Sequence, residues 1–433
     1  MVRSEGHLAF QPIEHYLQNF DSDTPPAIIL GKYATSNLGG VRSLAVHHIP
    51  TIVIDARRQS TFFSRYTLGL QSPDPARFPD QYIAFVIELG QQLPSKGVLF
   101  PTGDTETLLL TKQHGVLAPY YYFTSASYEL IDKLIDKQSL AILLDTYHIP
   151  HPMTVTIDTT CDVSSISKDI TYPCILKPRY PTRFRLDFPT KVLYATSPVE
   201  FVTLVNTAAA KGHAMIAQEI IPGNANAMFG FNAYYDQTGR AHGVFNYQRI
   251  REWPLGFGNG CYLRQVQEPA MEEMTTALLR PLGYHGIVDV EFRRDHRDGI
   301  FKLIEINPRL WMQNSFPASL GCNHAHLAYQ EALGQTLTSS SPCADSPIRW
   351  VFGAEDLQSA LASMRQGTLS MKEWLGAYRW KNVYATFSWH DPLPWVVAIY
   401  RTFIWSWSLA FHRDTGVKKE NMLVEEYHTS WKE

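Results

Sequence analysis

Between Gly286 and Arg309 the chain reads GIVDVEFRRDHRDGIFKLIEINPR, and few folds accommodate that pattern. Two alternating runs, IVDVEFR and FKLIEIN, flank a polar turn through Asp295–Gly299, which predicts an antiparallel pair of strands. Side chains alternate between the two faces of a strand, so Asp289, Glu291 and Arg293 should share one face. Glu305 and Asn307 should likewise share one face of the second strand. For an isolated acidic hairpin the ordinary reading is a solvated outer face. The sharper reading is an all-oxygen cage, two carboxylates and an amide, of the kind Mg²⁺ accepts while keeping phosphates in its shell. Signals upstream bear on the choice.

At 433 residues the chain is long enough for two or three domains with their own cores. A net charge of −3 removes the electrostatic case for a nucleic-acid partner. Cys161, Cys174, Cys261, Cys322 and Cys343 are odd in number, widely spaced and without a CxxC pair. Reduced thiols in a cytoplasmic setting are expected, with neither a disulfide framework nor a zinc site. The opening MVRSEGHLAFQPIEHYLQNF lacks a continuous apolar stretch, so no cleaved leader is expected.

PAIILG, SNLGGVRSLAVHHIP and TIVID read as strand, helix and strand, the start of a doubly wound α/β domain spanning 1–125. The glycines of Gly31–Gly40 do not have dinucleotide-binding spacing, and Asp55 ends the second strand without a glycine fingerprint. Asp104, after the strand GVLFPTGD, is placed either for a ligand contact or as a helix cap. The helical pattern YELIDKLIDKQSLAILLDTYHIPHP opens a second region, 126–335, whose smaller lobe covers about 150–220. Within it YPCILKPR is a short strand with Lys177 at its exit, either an exposed terminator or a point-charge donor to phosphate. A Ser/Thr/Pro-rich linker then leads, in 336–433, to an aromatic-rich C-terminal appendage. Its segment PWVVAIYRTFIWSWSLAFH is too short, and too interrupted by Arg401, to span a membrane. Packing against protein and peripheral contact with a membrane surface are the two readings of its aromatic residues. A homodimer through the N-terminal domain or this tail is a further expectation.

DKQSL around Lys137, YPCILKP around Lys177, QEIIPG around Glu219 and DVEF…EINPR, in that order, resemble the ATP-grasp superfamily. IILG…SNLGGVRSL, PTGD, RIREWPLGFGNG and DPLPW narrow the resemblance to the bacterial carboxylate–amine ligase group that includes D-aspartate ligase. The resemblance implies an N-terminal doubly wound α/β domain followed by two α+β lobes gripping ATP. It implies ATP and one or two Mg²⁺ ions as cofactors, with Mn²⁺ a substitute, and a small carboxylic acid and an amine as substrates. Lys137 and Lys177 would hold phosphates. Gln218, Glu219 and Ile221 would line the adenine site, with the backbone of the last two reading the base edge. Glu291, Glu305 and Asn307 would bind metal, with Asp289 either a reserve ligand or the partner of Arg293. Arg309 would stabilise charge on a phosphorylated intermediate, or else pair with a neighbouring carboxylate; Arg249 and Arg251, two apart on an extended segment, would clamp substrate carboxylate or γ-phosphate, or else lie exposed. The usual acidic ribose contact is absent from GNANA, which leaves Asn224 or Asn226 in its place. The activity implied is amide-bond formation through an acylphosphate. The alternatives are an ATP-dependent kinase or related enzyme with a non-amine acceptor, and a non-catalytic nucleotide-binding regulator.

Overall fold

The computed structural model describes residues 11–157, 162–188, 190–256, 258–337, 346–378 and 381–411. The apolar runs near the N-terminus become parallel strands: β1 (Ala27–Leu30), β2 (Thr51–Asp55), β3 (Thr67–Gln71), β4 (Gly97–Pro101) and β5 (Tyr121–Phe123). Their order is β3-β2-β1-β4-β5, so the winding reverses between β1 and β4. Ligands of open α/β sheets bind at such a reversal, beyond the carboxyl ends of the strands. Here that edge carries Gly31–Tyr33 and Thr102–Asp104. The two loops touch: a Cβ on Gly31 would stand 2.1 Å from Thr102 Oγ1, so only glycine permits the approach. β3 escapes sequence reading because TLGLQ is short and carries a central glycine.

The expected long helix after Ser127 splits into Tyr128–Ile135 and Lys137–Thr146. Asp136 causes the break by capping the second helix through Gln138 N at 3.3 Å. Its carboxylate also takes Arg179 Nε at 2.8 Å and Ser139 Oγ at 2.7 Å. Burial pushes Asp136 up, but Arg179 and Ser139 outweigh it and hold the carboxyl below its ordinary value. Lys137 is thereby fixed as the first residue of a helix.

The smaller lobe is an antiparallel sheet of β6 (Thr154–Ile157), β7 (Cys174–Pro178), β8 (Leu193–Ala195) and β9 (Met215–Glu219), in the order β6-β9-β7-β8. Leu176, Phe184, Phe201 and Met215 form its core. The larger sheet contains β10 (Met228–Tyr235), β11 (Ala241–Trp253), β12 (Asn259–Val266), β13 (Gly286–Arg294) and β14 (Phe301–Asn307). Phe231, Val288, Val290 and Phe292 face the helices Tyr128–Ile135 and Lys137–Thr146, each fully buried Val or Phe contributing about 1.5–3 kcal/mol.

The C-terminal part is not a separate appendage. β15 (Arg349–Val351) and β16 (Val383–Tyr384) extend the larger sheet to the order β14-β13-β10-β11-β12-β15-β16. Trp350 lies fully buried beside Tyr247, Leu263 and Phe316. Farther on, Asp391 binds Arg42 Nε at 3.0 Å, Ser64 Oγ at 2.8 Å and Arg65 N at 3.0 Å, all in the N-terminal domain. An isolated apolar stretch carries no mark of a distant partner strand, which is why IRWVFG reads as peripheral. Among the described residues no helix is long and apolar enough to cross a membrane. Most of the predicted linker (338–345), the two remaining cysteines and the polar C-terminus fall outside the described residues.

Candidate active site

The register of β13 and β14 sets Glu291 opposite Glu305 and Asp289 opposite Asn307. Like charges directly opposed across strands repel, so this pairing needs cations. Arg249 Nη2 supplies one to Glu291 Oε2 at 2.7 Å, and Lys137 Nζ supplies another to Glu305 Oε1 at 2.8 Å. Burial pushes Glu305 up, but Lys137, Lys177 and Arg309 together hold it below its ordinary value. Lys137 moves the other way, raised by Glu305 against the opposing effect of burial.

Asp289 stands behind this pair. It accepts Asn232 Nδ2 at 2.7 Å, Asn307 Nδ2 at 3.0 Å and Tyr247 OH at 3.4 Å. Holding the Asn307 nitrogen leaves its Oδ1 facing Arg309, whose Nη2 donates to it at 3.0 Å. Burial and the charge of Glu291 push the Asp289 carboxyl up. The pairing of Asp289 with Arg293 does not form, because Arg293 instead donates to Gly223 O, and Asp289 orients Asn307.

Lys177 is buried at the exit of β7, its Nζ on Gln218 Oε1 at 2.7 Å, and Gln218 Nε2 continues to Thr154 Oγ1 at 3.0 Å. Burial and the charge of Lys137 lower Lys177 to about 8. The Gln218 side chain thus holds a lysine. Glu219 closes β9, accepting Met153 N at 3.1 Å and pairing with Arg297 of the β13–β14 turn, so it ties the two lobes together. Ile221 is buried just beyond. Arg309 leaves β14 toward the N-terminal domain and meets Asp104 at 2.5 Å. That pairing settles Asp104: Gly103, not Asp104, caps the following helix.

Arg251 departs from expectation. The β11–β12 register shifts between Arg249 and Arg251, which breaks simple alternation. Glu252, 3.7 Å from Arg249 Nη1, is the neighbour that shares its side. Arg251 instead binds Asp356 through Nε at 2.6 Å and Nη2 at 3.0 Å, over the ring of Tyr262. No pattern in RIREWP announces the bulge. Two further residues at the site carry no sequence signal. Lys191, an exposed residue of the smaller lobe, donates to Asn259 Oδ1 at 2.8 Å. Burial pushes Tyr33 up, yet Lys32, Arg185, Lys191 and Arg309 outweigh it and lower its hydroxyl.

Among the described residues no three or more His, Cys, Asp or Glu are grouped to hold a metal. Glu291, Glu305 and Asn307 offer a half-shell of oxygens, the number suited to an ion that keeps phosphate and water ligands. Lys137, Lys177 and Arg309 crowd positive charge beside it, so the donor set fits a metal–polyphosphate better than a bare cation.

No protein-family model matches the chain. It is 24% identical over 246 residues to D-aspartate ligase of Enterococcus faecium (strain Aus0004), covering 54% of this chain and 58% of that protein. The match therefore spans less than two thirds of that relative's length. Solved structures of similar shape include L-amino acid ligase from Bacillus licheniformis, with TM-score 0.56 and 14% identity, covering 72% of this chain and 75% of that one. The biotin carboxylase domain of Hydrogenobacter thermophilus 2-oxoglutarate carboxylase, in complex with MgADP, ADP and bicarbonate, superposes with TM-score 0.58 and 14% identity, covering 74% of this chain and 72% of that one. N5-carboxyaminoimidazole synthetase from Staphylococcus aureus gives 0.54 and 15%, covering 75% and 82%. Sheet order, lobes and these likenesses agree: the chain has the ATP-grasp fold.

Proposed function

We propose that the protein is an ATP-dependent carboxylate–amine ligase acting on amino-acid-like substrates through an acylphosphate. The observation that carries the reading is the opposed pair Glu291 and Glu305, with Asn307 beside them and Lys137, Lys177, Arg249 and Arg309 around them. The sequence likeness to D-aspartate ligase supports an acid and an amine as the substrates. Glu291, Glu305 and Asn307 would hold Mg²⁺, or Mn²⁺ in its place, and the chemistry so supplied would be neutralisation of phosphate charge. Lys137 and Lys177 hold the phosphate oxygens, and Asp289 keeps the Asn307 oxygen turned outward. Ile221 and the backbone of Glu219 bound the adenine site. Arg309 meets the charge that develops on the carboxyl as phosphate joins and then leaves it. Arg249 remains in the site on Glu291, whereas Arg251 takes a structural part through Asp356.

The test supplies Mg-ATP with a panel of L- and D-amino acids as acids and amines, and separately with hydroxylamine to trap the activated acid. Phosphate release that requires an acid, with hydroxamate formation, is the expected result, and Glu305→Ala should abolish both. The alternative keeps the fold and has a non-amine acceptor. ATP turnover that no amine or hydroxylamine intercepts would select it.

A further inference from the structure

The helix Gly353–Arg365 opens with two buried acids of opposite condition. Asp356 is saturated: besides Arg251 it accepts Trp374 Nε1 at 2.8 Å and Tyr378 OH at 2.7 Å. Glu355, only 7% exposed, has an Oε2 shut away from solvent and without a hydrogen-bond partner. A buried carboxyl left so is tolerated as the neutral acid or when a cation arrives to pair with it. Burial pushes Glu355 up to about 8, with Lys191 the opposing influence.

Its helix is linked to the reaction site through β12 and Lys191. Phe352 N donates to Cys261 O at 2.8 Å, which seats the helix start on the first residues of β12. The same short run faces the site from its other side. Arg249, while holding Glu291, also donates through Nη1 to Gly258 O at 3.1 Å, and Lys191 holds Asn259 at 2.8 Å. Lys191 feels the charges of Glu291 and Glu305, and Glu355 feels that of Lys191. Cys261 of β12 also feels the charges of Glu355 and Asp356, and Ser359, one turn on from Glu355, lies against that thiol. Glu291 is taken by Arg249, Glu305 by Lys137, Asp104 by Arg309 and Glu252 by Gly256 N at 2.8 Å, while buried Glu106 lies by Asp104 and Arg309 on the N-terminal domain.

We propose that Glu355 receives the ammonium group of the amine substrate and takes up the proton it must shed before it attacks the activated carboxyl carbon. This rests on the ligase reading. The ammonium gives one proton to the Glu355 carboxylate, which becomes the acid, and the freed nitrogen lone pair forms the C–N bond. The bond from the carbonyl carbon to the phosphate oxygen breaks, phosphate leaves with that electron pair, and the second nitrogen proton passes to phosphate or water. A base that titrates close to working pH suits such a transfer.

Glu355→Gln keeps the volume and removes the base. With Mg-ATP, an acid from the panel and an amino acid as amine, amide formation should fall about 10²–10⁴-fold. Hydroxylamine is uncharged at neutral pH and needs no such base, so hydroxamate formation should fall far less, and Glu355→Asp should recover part of the amide rate. Equal loss of both products, or loss of neither, overturns the assignment while leaving the ligase reading intact. Absence of any hydroxamate from the wild type instead removes the ligase reading and this inference with it. In the enzyme without amine, infrared difference spectra should show a carboxyl band, absent from Glu355→Gln, that converts to carboxylate as pH passes about 8 or as the ammonium binds. Its absence also overturns the assignment.

Discussion

Arg251 is the residue whose expected and observed roles differ most, and replacing it separates them. Its guanidinium is 11% exposed, its partner Asp356 is fully enclosed, and two hydrogen bonds of 2.6 and 3.0 Å join them. Removing one member of such a pair leaves an uncompensated buried charge, a loss of about 3–5 kcal/mol. Trp374 Nε1 and Tyr378 OH still donate to Asp356 in Arg251→Met, which places the loss toward the lower end of that range. Adding Asp356→Asn removes the orphaned charge, so the double variant should be more stable than Arg251→Met alone. Thermal melts and urea midpoints of wild type, the two single variants and the double variant give the coupling. Below its melting range Arg251→Met should keep most of the wild-type rate of ATP-dependent hydroxamate formation. A variant that melts with the wild type yet has lost turnover would refute the structural assignment and return Arg251 to the chemistry.

Lys177, lowered to about 8 by burial and by Lys137, should gain a proton when phosphates bind beside it. Calorimetry of ATP binding at pH 8 in buffers of different ionisation enthalpy should report net proton uptake, and a buffer-independent enthalpy would contradict it. The same shift opposes folding fully below about 8, and stability from this group rises with pH from there toward the ordinary lysine value of 10.5. Asp289→Ala should raise the Mg²⁺ concentration for half-maximal turnover about 10- to 100-fold, with a smaller change in rate at saturating Mg²⁺, because it acts through Asn307. Gly39→Ala should destabilise the protein by about 1–3 kcal/mol in a thermal melt. The added Cβ would stand 2.2 Å from Asn314 Oδ1, and Asn314 is pinned to Ser36 O and Trp311 O.

The hairpin from Gly286 to Asn307 was legible because strand alternation is a local property, and it correctly grouped Glu291, Glu305 and Asn307. Motif order singled out Lys137 and Lys177, which the fold sets against Glu305 and Gln218. The break that presents Lys137 depends on Asp136 serving both as cap and as partner of Arg179, a contact across 43 residues. Arg251 was misplaced because a bulge is set by the neighbouring strand as much as by its own residues. β15, β16, Lys191, Tyr33 and Glu355 reach their places only through partners far away in the chain, and no local spacing encodes them. Asp289 shows the intermediate case: its face was predictable, but its role required Asn232, opposite it on the neighbouring strand β10 and 57 residues away in the chain.

The clasp between Arg42 and Asp391 has a consequence for how the chain is made. The two residues are 349 positions apart, so at roughly 5–20 residues per second a nascent chain waits roughly 17–70 s between synthesis of the first and of the second. Throughout that interval Arg42, destined for a buried place, has no carboxylate to meet, and Ser64 and the Arg65 amide lack the same partner. The N-terminal sheet can form early, but its surface is completed only when the chain is nearly finished. Ribosome-bound chains halted before Asp391 should therefore hold the first domain in an open, protease-sensitive form that closes on release of the full-length product.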